Sequence, residues 1–192
     1  RSITEVGNWG LSTSLHELLL ADGNMLTVDP SSFALLSNLK LIDLRFNILT
    51  SLDGTLFQSQ ANLTTLHLEG NFLTQLPHGI FGSLSALKCM YLQHNKFRKL
   101  DADVFASLTS LLTLRLSDNE ISYFAPNTFG ALFKLTEFDL SRNSLTRVDD
   151  SLFPPSNAFN LLHLVGNDIT EVNNSIVDHN LTEIQMQANP SK

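Results

Sequence analysis

The chain is poor in cysteine and in basic residues, and these scarcities exclude several classes of protein. It has one cysteine, Cys89, among 192 residues, which excludes an internal disulfide framework and a cysteine-based zinc site. Lys and Arg number 12 against 19 Asp and Glu, giving a net charge of −7. A general nucleic-acid binder needs a concentrated basic field, so this balance argues against nucleic acid as a partner.

Other absences bound the fold and the compartment. No apolar run reaches the roughly 18 residues that span a bilayer, so no membrane insertion is expected within this segment. Residues 1–13 lack the apolar stretch of a signal peptide. Only 16 % of residues are charged while 43 % are hydrophobic, a composition that predicts a folded core rather than a disordered chain.

What the chain has instead is a regular repeat, marked independently by three residue types at one constant spacing. Leucine occupies Leu15, Leu39, Leu63, Leu87, Leu111 and Leu135, with Phe159 and, after a slightly shorter step, Leu181 continuing the column. Asparagine occupies Asn47, Asn71, Asn95, Asn119, Asn143 and Asn167, followed by Asn189. Phenylalanine occupies Phe33, Phe57, Phe81, Phe105, Phe129 and Phe153, with Val177 in the seventh place. Such columns predict a repeat architecture.

Each unit reads L-x-x-L-x-L-x-x-N-x-L, as in residues 63–73 and 111–121. The alternating leucines predict a short strand with one buried face. The asparagine is expected to bond backbone groups of the neighbouring turn, so Asn95 and Asn119 should be buried. The phenylalanine should fill the opposite side, with Phe105 and Phe129 in contact. The predicted strands centre on Leu18, Ile42, Leu66, Met90, Leu114, Phe138, Leu162 and Ile184.

This unit resembles the typical 24-residue class of extracellular leucine-rich repeats. The resemblance extends to variable lymphocyte receptors and Toll-like receptor ectodomains. It implies an α/β repeat fold, a right-handed leucine-rich repeat solenoid with a concave parallel β-sheet and a loop-rich convex side. A leucine-rich helical bundle is the alternative, but helical periodicity would not hold Asn and Phe in fixed columns.

The resemblance also implies an arrangement for the two ends of the chain. We interpret residues 1–192 as a single leucine-rich repeat domain. Residues 1–14 resemble the exit from an N-terminal cap, residues 15–180 form seven repeats, and residues 181–192 form a last partial repeat leading into a C-terminal cap. The first repeat departs from the pattern because Asn24 comes one residue late, after Gly23. A solenoid needs capped ends, so we expect this segment to be the repeat body of a longer protein.

Candidate binding residues lie between the leucines, where side chains should face out of the concave sheet. Unlike the leucines, these positions vary from repeat to repeat, which is typical of a recognition surface. The predicted ligand-binding set is Asp43, His67, Glu69, Tyr91, His94, Arg115, Asp118, Glu137, Asp139 and His163. Tyr and Arg are frequent at binding hot spots. Acidic residues outnumber basic ones on this face, so a ligand with cationic groups is favoured.

Catalysis and metal binding are not expected, and no cofactor is indicated. His67, Asp43 and Ser117 form a triad only on paper, because His67 and Ser117 fall two strands apart. Glu137 and Asp139 share a strand, yet an open sheet offers no pocket to desolvate them. His67 and His163 fall four strands apart, about 19 Å at the usual strand spacing, too far to share a metal.

Three glycosylation motifs, at Asn62, Asn173 and Asn180, favour an extracellular location, either secreted or in the ectodomain of an anchored protein. The single free thiol of Cys89 is unusual for such a compartment and is interpreted as a half-buried small hydrophobe.

Two functions fit these features. The first is non-enzymatic, immune-type recognition of a microbial surface component or protein antigen through the concave face, resembling variable lymphocyte receptors. The alternative is a cell-adhesion or extracellular-matrix interaction module.

Overall fold

The computed structural model describes residues 5–6, 11–148, 150–154, 160–172, 183–187 and 189. These residues form a solenoid around one eight-stranded parallel sheet. Its strands are β2 (Glu17–Leu19), β4 (Leu41–Asp43), β5 (Thr65–His67), β6 (Cys89–Tyr91), β7 (Thr113–Arg115), β8 (Glu137–Asp139), β10 (Leu161–His163) and β12 (Glu183–Gln185). All eight predicted centres are the middle residues of these strands, which confirms the predicted solenoid.

The strands pair in the order β2-β4-β5-β6-β7-β8-β10-β12, so each strand neighbours those of the preceding and following repeats. The pairing keeps the period of the sequence, as in Leu66 with Met90 and Met90 with Leu114. The last pair, Leu162 with Ile184, follows the shorter step at the end of the chain. Equivalent residues of successive repeats therefore lie side by side, about 4.8 Å apart.

Four shorter strands were not predicted. β1 (Glu5–Val6) pairs with β3 (Thr27–Val28), and β9 (Arg147–Val148) pairs with β11 (Glu171–Val172). Strands this short cannot show an alternating pattern, so the sequence carries no clear signal for them. Helical structure in the described residues is limited to a 3-10 turn at Asp150–Leu152. The rest of the convex side consists of turns and loops.

The phenylalanine column forms the convex core. The six phenylalanines of the column, Phe33, Phe57, Phe81, Phe105, Phe129 and Phe153, are all buried. Phe105 and Phe129 stack with their ring centroids 5.7 Å apart, which confirms the predicted contact. Phe33 stacks on Phe57 at 6.1 Å in the same way. Phe57 and Phe81 stack likewise, as do Phe129 and Phe153, so aromatic rings fill the space between most neighbouring turns.

The asparagine column forms the predicted ladder. The Oδ1 atom of buried Asn95 accepts the backbone N–H of Leu73 at 3.0 Å. Its Nδ2 group donates to the carbonyls of Leu68 and Leu92, at 3.0 and 3.1 Å. Buried Asn119 repeats the pattern one turn later, so both predictions are confirmed. Each amide ties one turn of the solenoid to the next.

The first repeat keeps the period despite its irregular sequence. The backbone N–H of Met25 bonds Asn47 Oδ1 at 3.1 Å, just as Leu49 bonds Asn71. Gly23 therefore stands at the ladder position, and Asn24 is exposed one residue further on. The column members Phe159, Val177 and Leu181 lie outside the described residues.

Candidate binding surface

The outward residues of the sheet form two columns across the concave face. Because the centres of the three-residue strands are buried, or partly buried in β12, the first and third residues of each strand face outward. The first residues are Glu17, Leu41, Thr65, Cys89, Thr113, Glu137, Leu161 and Glu183. The third residues are Leu19, Asp43, His67, Tyr91, Arg115, Asp139, His163 and Gln185. The strand register places the members of each column side by side, as the sequence predicted.

The middle of the third-residue column is a stack of side chains. The rings of His67 and Tyr91 lie 4.4 Å apart between centroids and only 11° from parallel. The guanidinium carbon of Arg115 lies 5.8 Å from the centroid of the Tyr91 ring, within the range of a cation–π contact. Because neighbouring side chains cover the ring faces of Tyr91, a ligand on the concave side would meet the ring edge.

An ion pair continues this stack onto the next strand. Arg115 donates to Glu137 Oε1 through Nη2 at 2.7 Å and through Nε at 3.1 Å. Partial burial opposes the charge of Arg115, but the hydrogen bond and charge of Glu137 outweigh it and raise the pKa of the guanidinium. Burial also raises the pKa of the Tyr91 phenol. Arg115 therefore stays charged, and Tyr91 keeps its hydroxyl proton.

A buried acidic group supports the other side of the stack. Asp43 and Glu69 are each only 5 % exposed. His67 donates through Nδ1 to Glu69 Oε1 at 2.9 Å. Arg45 lies 3.3 Å from Asp43 and 3.9 Å from Glu69, measured between nitrogen and oxygen atoms. These two acids were predicted to contact a ligand, but their burial suits them to holding His67 and Arg45 in place.

Asp139 and His163 follow the stack on the next two strands. Asp139 Oδ1 accepts the backbone N–H of Ser141 at 2.9 Å. Among the described residues no cationic side chain pairs with this carboxylate within 4 Å. His163 donates through Nδ1 to Gln185 Oε1 at 2.9 Å. Among the carboxylates of the predicted ligand-binding set, Asp139 is therefore the one that forms no salt bridge with a described residue.

His94 and Asp118 lie outside the strands of the concave sheet. They occupy the turn that follows each strand, with backbone φ of 56° and 54°. The same left-handed conformation recurs once in each repeat, at Asp22, Phe46, Gly70, His94, Asp118, Arg142 and Gly166. The sequence analysis missed this column, although its two glycines were a signal, since glycine favours positive φ. We call this side of the solenoid, residues 46–50, 70–74, 94–98, 118–122 and 142–146, the strand-exit flank.

The charged side chains of this flank pair with one another at its surface. Arg142 Nε lies 2.8 Å from an Asp118 oxygen, and His94 Nε2 lies 3.8 Å from the other. Glu120 pairs with Arg98 at 3.0 Å and with Lys96 at 3.9 Å. The predicted ligand-binding set is therefore divided between two surfaces, with His94 and Asp118 at the edge of the concave sheet.

Of the three glycosylation motifs, only Asn62 lies in the described part of the chain, and Asn173 and Asn180 lie outside it. Asn62 is exposed, and its Nδ2 atom donates to the carbonyl of Ser37 at 3.1 Å. It precedes β5, so it lies at the edge of the sheet where the strands begin. The strand-exit flank is at the opposite edge.

Within the residues that the structure describes, no group of three His, Cys, Asp or Glu side chains could hold a metal ion. Cys89 is a free, half-buried thiol on the concave face, in line with Thr65 and Thr113. The described residues also contain no helix long and apolar enough to cross a membrane.

The repeat geometry agrees with comparisons against known proteins. The leucine-rich repeat family matches overlapping segments at residues 13–71, 61–121, 90–145 and 113–169, more than half of the chain. The chain belongs to this leucine-rich repeat family, whose solenoids generally act in binding rather than catalysis. No curated protein matches the chain significantly in sequence.

Solved structures resemble the chain in fold. The TLR13 chain, solved in complex with ssRNA13, is 27 % identical in sequence to this chain. Its TM-score is 0.83, over 88 % of this chain and 24 % of the TLR13 chain. The leucine-rich repeat domain of APL1B is 26 % identical, with a TM-score of 0.74 over 86 % of this chain and 48 % of its own. The matched chain of the Drosophila Toll–Spatzle complex is 25 % identical in sequence to this chain. Its TM-score is 0.69, over 82 % of this chain and 26 % of the matched chain. The chain thus spans between a quarter and half of these relatives, and it resembles Toll-like receptor ectodomains.

Proposed function

We propose that this solenoid is a recognition module of the innate-immune type, which binds a protein or microbial surface ligand through its concave face. The observation that carries the proposal is the stack from His67 through Tyr91 and Arg115 to Glu137. Side chains that already restrain one another lose little conformational entropy when a ligand binds. The resemblance to receptors of the Toll class supports an immune role rather than a purely adhesive one.

The charges of the concave face indicate which chemical groups its ligand would carry. Asp43, Glu69 and Glu137 are paired with basic side chains, whereas Asp139 is not. An amine or guanidinium of the ligand could pair with Asp139 without displacing a salt-bridge partner, and the proposal therefore includes a preference for ligands with cationic groups. We do not propose nucleic acid as the ligand, even though the TLR13 relative was solved with RNA, because the chain carries a net charge of −7.

We also propose an extracellular location, secreted or within an ectodomain, with a glycan at Asn62. The exposed position of Asn62 at the strand-entry edge would keep that glycan off the strand-exit flank. The same proposal includes the layout of the chain as a repeat body, residues 15–180, between an N-terminal and a C-terminal cap.

A matched pair of tyrosine variants tests the concave site. Tyr91 lies in the stack, while the chain's other tyrosine, Tyr123, is exposed outside the sheet. The fluorescently labelled protein is titrated onto fixed Gram-positive and Gram-negative bacteria and onto poly-lysine beads, with binding read by flow cytometry. We expect Tyr91→Ala to weaken binding about tenfold, as loss of a central anchor does, and Tyr123→Ala to leave it unchanged.

A second pair tests the cationic preference. Asp139→Asn should weaken binding to poly-lysine, whereas Asp168→Asn, at an exposed site outside the sheet, should not. The difference in poly-lysine binding between the two variants should shrink at high salt, because exposed charges are screened over about 8–10 Å at physiological ionic strength. Equal behaviour of all four variants, with the fold intact by circular dichroism, would contradict the concave site. Binding to matrix proteins but not to bacteria would favour the adhesion alternative.

A further inference from the structure

The strand-exit flank carries a group of exposed apolar side chains. Phe46 is 50 % exposed, Phe72 is 48 % exposed and Ile48 is 39 % exposed. Ile48 and Phe72 occupy equivalent positions of neighbouring repeats, since their backbone N–H groups bond Met25 and Leu49 in the same way. The core leucines of these repeats are buried, so the exposure is not a packing failure. A contiguous apolar patch of this kind is typical of an interaction site.

Phe46 and Phe72 are connected through a glycine. The Phe46 ring lies over Gly70, where a Cβ atom would overlap it. Gly70 and Phe72 in turn form one end of an open groove of about 520 Å³. Buried Asn71, Asn95 and Asn119 of the ladder also line this groove. The apolar patch therefore continues directly into a groove whose walls are held by the most regular hydrogen bonds of the fold.

The far part of the groove is polar and locally cationic. It is lined by His94, Lys96, Asp118 and Arg142. Around it, the basic side chains of Lys96, Arg98 and Arg142 outnumber the carboxylates of Asp118 and Glu120. The lysine and both arginines keep more than half of their side-chain surface exposed. This surface is positive within a chain of net charge −7.

We propose that the strand-exit flank docks a protein segment that carries aromatic or leucine side chains next to carboxylates. The apolar part of the segment would cover Phe46, Ile48 and Phe72, and its carboxylates would meet Lys96 and Arg142. Single-stranded RNA also combines stacking bases with negative charge. A protein segment is favoured because Asp118 and Glu120 lie among the basic groups, where they would repel a continuous phosphate chain. This site is separate from the concave site and does not depend on it.

A peptide library provides the test. The chain is immobilised and used to select from random 12-residue peptides displayed on phage, and the enriched peptides are synthesised and titrated by fluorescence anisotropy. We expect them to combine aromatic or leucine residues with Asp or Glu. Phe72→Ser and Lys96→Glu should each weaken binding about tenfold, in the range of anchor residues at interfaces. Ile48→Asp provides a second apolar variant.

Matched controls come from a distant part of the surface. Phe133 is 53 % exposed and Lys134 is exposed beside it, so Phe133→Ser and Lys134→Glu change the same residue types outside the groove. Both should bind the peptides as the parent chain does, and so should Tyr91→Ala, which separates this proposal from the concave site. All variants are first compared with the parent by circular dichroism.

Three outcomes would overturn the proposal. The first is a selection without enrichment, or one whose peptides bind Phe72→Ser as tightly as the parent. The second is Phe72-dependent binding of a 12-nucleotide single-stranded RNA that displaces the peptides. The third is a concentration-dependent dimer, seen by sedimentation, that Phe72→Ser abolishes, since the patch would then be covered by a second copy of this chain.

Discussion

The concave face and the strand-exit flank are neighbouring surfaces built from the same repeats, yet their side chains behave differently. On the concave face, His67 is held between a buried carboxylate and the Tyr91 ring. On the flank, Phe72 and Lys96 project from turns with about half of their surface in solvent. The side chains of the first surface restrain one another, while the apolar side chains of the second are half exposed and would be covered only by a partner.

The difference has a geometric origin. Side chains on adjacent strands start about 4.8 Å apart and run parallel, so they stack and pair along the sheet. The flank consists of turns with one left-handed residue each, in which exposed side chains alternate with the buried asparagines of the ladder. We therefore expect the concave face to support shape-specific recognition and the flank to support a more adaptable contact.

The largest expected effect comes from the interior that both surfaces share. Phe105→Ala removes a fully buried ring from the convex column and should lower the free energy of unfolding by about 3–5 kcal/mol. Phe133→Ala, at an exposed phenylalanine, should change it by no more than about 0.5 kcal/mol. Urea denaturation followed by circular dichroism measures both. An unchanged midpoint for Phe105→Ala would show that the column is not a core.

A smaller effect is expected from the ladder beneath the flank. Asn95→Leu leaves the buried N–H of Leu73 without its partner. The carbonyls of Leu68 and Leu92 still accept from Asn71 and Asn119. The loss should therefore reflect one unpaired group, about 1–3 kcal/mol. Urea denaturation measures the loss, and faster amide exchange at Leu73 should accompany it. A loss near zero would mean that the ladder does not stabilise the turns.

A pair of carboxylates compares the two surfaces directly. Glu69→Gln on the concave face changes a buried partner of His67 and Arg45, and should cost about 1–3 kcal/mol of stability. Glu120→Gln on the flank changes a half-exposed partner of Arg98, and should cost no more than about 0.5 kcal/mol. Thermal and urea unfolding give both values. Equal losses would contradict the distinction between the buried ion pairs of the concave face and the exposed ion pairs of the flank.

The smallest effect concerns the backbone of the flank. His94 holds a φ of 56°, which costs an ordinary residue about 1–2 kcal/mol, whereas glycine adopts it freely. After the entropic cost of glycine, His94→Gly should stabilise the fold by about 0.5–1 kcal/mol. Gly70→Ala, at the equivalent position, should destabilise it, because φ is 67° and the new Cβ meets the Phe46 ring. Urea denaturation measures both changes in the free energy of unfolding. Changes of opposite sign would confirm that the two positions share the left-handed conformation, and changes of the same sign would contradict it.

The core of the fold was accessible from the sequence because it depends on columns that repeat. Met90 and Phe138 could be placed at strand centres, and Asn95 in the ladder, from the period alone. The binding surfaces were less accessible, since they depend on residues that differ between repeats. Asp43 and Glu69 were predicted to be available to a ligand, but Arg45 and His67 lie against them, and the structure buries both.

The sequence by itself determined the solenoid, its eight concave strands, the buried phenylalanines and the asparagine ladder, because a fixed period places identical residues in identical surroundings. Only the tertiary structure decided which variable residues meet. The stack of His67 on Tyr91 requires two side chains from successive repeats to adopt compatible rotamers across neighbouring strands. The separation of His94 and Asp118 from the concave face depends on a left-handed turn, whose φ is set by the hydrogen bonds of adjacent repeats.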